Sequence, residues 1–493
     1  MTAALHKLFT GPKSIYLVGI GFALLNGILV ANEFFYASLL PVMLAIVLMA
    51  FFALDKLVLF IVFLTPLSVN LTDIGLGVGL TLPTDPLLFG VMLIFILKLF
   101  AEQKFDKGIA DHPITLAITI NLVWIGITTI TSEMPLVSLK YFVSRLWYVI
   151  TFFFVMTQLF RNFKNIKWFL GMYMTGFVCI ICYTIIHHGM YGFMEQPAHW
   201  VMSPFFNDHT SYGAALAMFY PLLIGLVFKS SYSKSWKVVF FGVLMLFTIA
   251  LILSYTRAAW VSLIGALGVY ILIRLRIKFS TVIGIAAVFF VALFISWDTI
   301  VMKMEQNRQD SSAEITEHIQ SITNISTDAS NLERLNRWSA AWRMFKERPF
   351  VGWGPGTYMF QYAPFQLSSE KTRISTNAGD KGNAHSEYIG PLSESGVFGM
   401  LSFLILIICV VYYSITLYPR IKNKEHRMYL INLFLGLVTY LIHGILNNFL
   451  DTDKASAPFW GFIAAIVAIE VYHLKEKVES NKDEKPLLEP SGE

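Results

Sequence analysis

The sequence predicts an all-α polytopic membrane protein of about 12–14 transmembrane helices, with one large, partly helical loop on the outer side. Three observations predict it. Of 493 residues, 56% are hydrophobic and only 14% charged, whereas a soluble domain carries about 25% charged residues. Apolar runs recur at the roughly 20 residues a helix needs to cross a bilayer. Lys and Arg fall on alternate connections between those runs, as cytoplasmic loops require.

The runs lie near 14–31, 34–54, 57–70, 84–101, 113–131, 138–160, 166–187, 209–229, 236–253, 257–275, 279–297, 397–418, 427–446 and 457–474, about fourteen helices in all. The 57–70 run is short and 209–229 contains Pro221, a site for a kink. The basic connections carry Lys7 and Lys13; Lys56; Lys98, Lys104 and Lys107; Arg161, Lys164 and Lys167; Lys229, Lys234 and Lys237; Arg274, Arg276 and Lys278; Arg420, Lys422, Lys424 and Arg427; and Lys475 and Lys477. Around Glu33, Asp73 to Asp85, Glu133 and Glu195 to Asp208 there are none. Both termini are therefore expected in the cytoplasm. The organisation reads as N-terminal membrane helices over 1–297, a large outer loop over 298–396, C-terminal membrane helices over 397–475, and a charged, disordered cytoplasmic tail over 476–493.

Several chemistries find no machinery here. Walker, GxGxxG and HExxH patterns are missing, and Gly75-Leu-Gly-Val-Gly79 has no strand before it. No His/Asp/Glu grouping has metal spacing, and no cofactor and no nucleic-acid partner is expected. Cys179, Cys182 and Cys409 lie inside apolar runs, where cysteine behaves as a small apolar residue. The segment from Met1 to Lys13 lacks the small-residue cleavage site of a signal peptide.

The polar interval from Trp297 to Gly399 organises the rest. An acidic lead-in reaches Glu333, and a basic segment from Arg334 to Arg348 follows with helix-period aromatics. A helix is predicted near 331–348, ended by Pro349, because the residue before proline disfavours helix. Arg334 and Arg337 share a face. They suit either lipid headgroups, as part of an interfacial helix, or a bound phosphate, which Arg grips in a bidentate fork. Arg257, at the outer mouth of a run, reads as an interfacial anchor or a second phosphate clamp. His385 is a candidate proton acceptor. Asp208 and His209 open another run on the same side and can meet the same site, whereas Asp451 and Asp453 read as loop charges. Trp353, beside Gly352, Gly354 and Gly356, suits sugar stacking or an aromatic belt.

Five stretches occur together in a fixed order: Asn207-Asp-His-Thr-Ser-Tyr-Gly213, Ser254-Tyr-Thr-Arg-Ala-Ala-Trp260, Asn331-Leu-Glu-Arg-Leu-Asn-Arg-Trp338, Glu347-Arg-Pro-Phe-Val-Gly-Trp-Gly-Pro-Gly356, and Asn383-Ala-His-Ser-Glu-Tyr through Gly399. This set resembles the O-antigen ligase and polysaccharide polymerase superfamily over roughly Ser203 to Gly461. The resemblance implies a glycosyltransferase fold of the C type in the bacterial inner membrane, with the large loop periplasmic. It implies transfer of a glycan from an undecaprenyl-diphosphate carrier to an acceptor hydroxyl on a glycan, lipid A-core or protein, without nucleotide or metal. Arg257, Arg334 and His385 then fall on the catalytic positions, with Arg337, Asp208, His209 and Trp353 beside the substrate. The long acidic lead-in and the high helix count depart from the family. Chain extension by a polymerase shares the pattern. A flippase or transporter would instead show midplane charges and related halves, and an assembly protein would use the loop only for docking.

Overall fold

The computed structural model describes residues 12–71, 79–102, 105–277, 329–372, 375–376 and 382–474, with scattered positions between 281 and 296. The run expected at 279–297 lies mostly outside the described residues, as do the acidic lead-in before Ala329 and the tail from 476. The chain divides into two compact units, Met1–Phe60 and Ile61–Glu493.

In the first unit, α1 spans Pro12–Ala31, and a 3₁₀ turn at Phe35–Leu39 runs into α2, Leu40–Phe52. No side chain of the Phe35–Phe52 span is buried, as expected of a helix that turns its apolar surface to lipid. α3, Leu54–Leu64, carries the chain into the second unit.

The second unit begins with a two-stranded antiparallel ribbon, β1 Val69–Asn70 against β2 Thr81–Leu82. The spans follow as α4 Thr84–Glu102, α5 Pro113–Ile130, α6 Pro135–Leu159, α7 Phe163–Gly189, α8 His209–Phe228, α9 Lys234–Leu253 and α10 Arg257–Arg274. The loop helix α11 covers Ala329–Glu347, and the chain closes with α12 Ile389–Leu417, α13 Lys424–His443 and α14 Asp453–His473.

Among the described residues, ten helices are long and apolar enough to cross a membrane. The difference from about fourteen runs has identifiable sources besides the run outside the described residues. The apolar stretch of α1 shortens to Gly19–Ala31. α3 has 11 residues, about 16 Å of rise against a hydrocarbon core of about 30 Å. α13 carries Lys424, Glu425 and Arg427 in its first turn and is largely buried in the bundle beside α8, α10 and α14.

Two loop expectations meet the structure directly. α11 ends at Glu347, two residues before Pro349, in accord with the helix expected near 331–348. α12 starts at Ile389, not 397, because it is broken at Gly396 (φ 69°, ψ −170°). The break exposes three carbonyls that find donors. Trp353 N–H donates to Ser393 O (3.1 Å), Gly354 N–H to Glu394 O (2.8 Å) and Trp124 Nε1–H to Ser395 O (2.8 Å). A Cβ on Gly352 would lie 2.4 Å from the Glu394 carbonyl, and one on Gly396 would lie 2.1 Å from Phe350 O. The glycine-rich turn therefore docks backbone to backbone against the kink, where no other residue fits.

Candidate functional site

Two helix N-termini form the floor. Asp208 caps α8, its Oδ1 accepting from Ser211 N–H and Thr210 Oγ1, both at 2.7 Å. Thr256, just ahead of α10, donates its hydroxyl to His209 O at 2.7 Å. This approach depends on Gly213, since a Cβ there would lie 2.7 Å from Thr256 Cβ. Arg257, the first residue of α10, is thereby set beside His209, whose ring stacks on His199 with centroids 4.3 Å apart.

The loop supplies the other wall. On α11, Arg334 donates from Nε to Leu446 O (3.1 Å). Arg337, one turn on and 4% exposed, pairs through Nε with Glu333 Oε1 (2.9 Å) and donates to Asn383 O (3.2 Å). Its guanidinium also lies over the Tyr362 ring, 4.9 Å from the centroid. Glu333, itself buried, accepts from Thr372 and Ser375 as well. Arg337 is thus built into the loop as a brace for the segment that leads to His385.

His385 adopts φ 48°, a left-handed conformation uncommon outside glycine and costly enough to need support. Asn383 Oδ1 accepts its N–H at 3.0 Å. Two residues on, the buried Glu387 clamps the segment to the α13–α14 turn. Its Oε1 accepts from Tyr440 Oη (2.5 Å), Phe449 N–H (2.8 Å) and Leu450 N–H (2.9 Å), while Glu387 N–H donates to Gly444 O (2.8 Å).

These parts lie within electrostatic reach of two histidines. Arg257, Arg334, His199 and Asp208 all lie within electrostatic reach of the His209 ring. Arg334, Arg337 and Asp208 lie within reach of His385. Burial, followed by Arg334 and Arg337, pulls the His385 imidazole down to about 3 against a weaker upward pull from Asp208. His385 is accordingly neutral at pH 7, with a free pair to accept a proton. Arg334, Asp208 and His209 also reach His443 of α13. Ring nitrogens of His209 (Nδ1) and His443 (Nε2) are buried without a hydrogen-bond partner among the described residues.

Of the residues singled out from sequence, Arg257, Arg334, His385, Asp208 and His209 thus gather, with Arg337 behind them. Trp353 is placed elsewhere. Its Nε1–H donates to Met344 O (3.0 Å), its ring takes the Arg348 guanidinium at 4.5 Å, and it packs on Phe365 against the core of Ala341, Met344, Tyr358 and Tyr362. It holds the loop together instead of facing the basic cluster. Asp453, read as a loop charge, is buried and accepts from Ser68 Oγ (2.5 Å) and Thr84 Oγ1 (2.7 Å). Glu387, His199 and His443 were not singled out. Glu387 stood inside the Asn-Ala-His-Ser-Glu-Tyr stretch, but the histidines had no sequence signal. Among the described residues no three His, Cys, Asp or Glu side chains gather as metal ligands would.

Two cavities lie among the elements that carry the cluster. An apolar groove of about 600 Å³ runs between α8, α10 and α13, lined along α10 from Trp260 through Leu267 to Arg274. It begins one turn below Arg257 and extends about 21 Å down the helix. A polar cavity of about 200 Å³ is bounded by Asp208 with Asn207, Asn383, Asn448 and Asp451.

Residues 240–404 match the O-antigen ligase family, a stretch that includes Arg257, Arg334, Arg337 and His385 but not Asp208 or His209. No curated protein matches the chain. The ten candidate spans make this a multi-pass helical membrane protein, and about a third of it, carrying four of the gathered or bracing residues, is similar to the O-antigen ligase family.

Proposed function

We propose that the protein transfers a glycan from undecaprenyl diphosphate to an acceptor hydroxyl at the periplasmic face of the bacterial inner membrane, with both termini in the cytoplasm. The observation that carries this reading is the meeting of Arg257, Arg334 and a neutral His385 around Asp208 and His209. Arg257 and Arg334 hold the donor diphosphate and neutralise the charge it gains as the anomeric C–O bond breaks, an effect strongest for preorganised cations in a water-poor site. His385 takes the proton of the acceptor hydroxyl as that oxygen bonds to the anomeric carbon. The electron pair of the broken bond leaves with undecaprenyl diphosphate. The arriving diphosphate also offsets Arg334, one of the arginines that depress His385, so donor binding itself makes the imidazole a better base. The apolar groove below Arg257 suits the carrier's hydrocarbon chain.

The test is transfer from an undecaprenyl-diphosphate glycan by purified, reconstituted protein. Arg334→Lys should fail nearly as badly as Arg334→Ala, because a point charge does not reproduce a bidentate fork. His385→Ala should lower turnover about a hundredfold or more with donor binding retained. Transfer should persist in EDTA. Near-normal transfer by His385→Ala, or abolition by EDTA with rescue by a divalent ion, contradicts the mechanism. Comparison of lipopolysaccharide, capsule and glycoprotein profiles after gene deletion identifies the acceptor and separates ligase from polymerase.

A further inference from the structure

The polar cavity beside Asp208 has no part in holding a diphosphate. Its volume is about 200 Å³, the space of roughly seven waters and below the roughly 300–1,000 Å³ of pockets for larger ligands. It shares two residues with the basic cluster. Asp208 reaches His385 electrostatically, and Asn383 holds the His385 backbone. The cavity is therefore bounded by a residue two positions before His385 and by the carboxylate that acts on its ring.

The lining is that of a carbohydrate site. The side-chain amides of Asn207, Asn383 and Asn448 and the carboxylates of Asp208 and Asp451 offer both donors and acceptors, and Phe205 and Phe449 add aromatic surface. Asn448 Oδ1 has no hydrogen-bond partner among the described residues, so the protein leaves an acceptor there for a ligand or water to satisfy. The charge is one-sided. The cavity's one cationic lining residue, Lys454, is committed to Ser68 Oγ (2.7 Å) and Asp453 Oδ1 (3.2 Å). Among the described lining residues Asp208 and Asp451 have no cation beside Lys454, Arg145 acts on Asp451 from outside the lining, and a phosphate or uronate in the cavity would meet two carboxylates.

We propose that this cavity is the acceptor subsite, that it holds a single neutral pyranose ring, and that it presents one ring hydroxyl to His385. The proposal rests on the transferase reading and adds the class of acceptor to it. Asp451 is exposed at the edge of the cavity, where its carboxylate repels anionic sugars.

The experiment uses full-length protein in detergent and in proteoliposomes. Saturation-transfer NMR is run with neutral methyl pyranosides and with methyl uronates. Transfer kinetics are measured with donor and acceptor varied separately. Neutral rings should receive saturation and uronates should not. Asn207→Trp, at an exposed position on the rim, should abolish that saturation. Asn448→Ala should raise the acceptor KM about five- to tenfold, the effect of one lost hydrogen bond, with donor KM unchanged and thermal unfolding as in the parent. If the parent transfers glycan but both variants keep its acceptor KM, the subsite is wrong and the transferase reading stands. If neutral rings bind and Asn207→Trp blocks them while the parent transfers nothing, the cavity binds sugar and the transferase reading fails. Saturation of uronates equal to that of neutral rings overturns the charge argument.

Discussion

Gly213→Ala tests the idea that the site is assembled by the approach of two helix ends. Residue 213 holds no reacting group; its role is to let Thr256 sit against α8. The new Cβ would lie 2.7 Å from Thr256 Cβ and Oγ1 and 2.9 Å from Cγ2, where ordinary contact begins at 3.4 Å. The obstructing atoms are those of a short β-branched side chain tied to His209 O, so the helix ends themselves must separate, by about 1 Å. Overpacking of this kind costs about 1–3 kcal/mol of stability. The larger effect is functional. Arg257 follows Thr256 directly, and a displacement of about 1 Å in a positioning group lowers rate by about a hundredfold. Transfer by reconstituted protein is measured beside thermal unfolding and expression, for Gly213→Ala, Thr256→Gly and the double variant. Thr256→Gly removes all three obstructing atoms, so the double variant should transfer faster than Gly213→Ala alone, a positive coupling between neighbours. Wild-type transfer by Gly213→Ala would refute the reasoning. So would a double variant no better than Gly213→Ala at equal folded yield.

Other consequences are equally direct. With His385 held at about 3 by burial and two arginines, the acid limb of kcat/KM, which reports the free enzyme, should fall well below pH 6.5. The limb of kcat should lie at higher pH, because bound diphosphate offsets Arg334; coincident limbs near 6.5 would contradict this. By the same shift the unfolded imidazole takes a proton that the folded one refuses, so His385 should cost the fold stability progressively as pH drops below 6.5, visible as a smaller acid loss in a folded His385→Gln variant. Arg337→Met, leaving Glu333 buried and unpaired, should destabilise by about 3–5 kcal/mol, and adding Glu333→Leu should recover part of it; unchanged thermal unfolding of Arg337→Met would remove its role as a brace. Gly396→Ala, with a Cβ 2.1 Å from Phe350 O at φ 69°, should lose folded yield outright. A cysteine at Ser368 should react with an impermeant thiol reagent in cells whose outer membrane alone is permeabilised, and labelling only after inner-membrane rupture would invert the topology.

What the sequence determined by itself was whatever depends on short stretches of chain. A segment crossing lipid must satisfy its backbone internally and cover itself with apolar side chains for about 20 residues. The spans were therefore legible as runs, and α11 was legible from its aromatics and Pro349. The chemical candidates were legible too, because an arginine or histidine beside an otherwise apolar span is conspicuous. Tertiary structure decided which of them share a site. Arg334 and Arg337 lie three residues apart on one helix face, and only the resemblance favoured Arg334 for catalysis; in the fold Glu333, Asn383 and Tyr362 take Arg337 into the loop's interior, while Arg334 reaches the α13–α14 turn and the histidines. Trp353 had the composition of a sugar platform, and only the packing of Met344 and Phe365 around it assigned it to the core. The early start of α12 at Ile389 depended on donors from Trp124, Trp353 and Gly354 to the carbonyls of a broken helix. Glu387 gained its role only when the 444–450 turn arrived with its backbone N–H groups. Most of these decisions join distant parts of the chain, Trp124 with Ser395 and Glu387 with Phe449 among them, where no periodicity survives and only close packing and the satisfaction of buried polar groups select the partner.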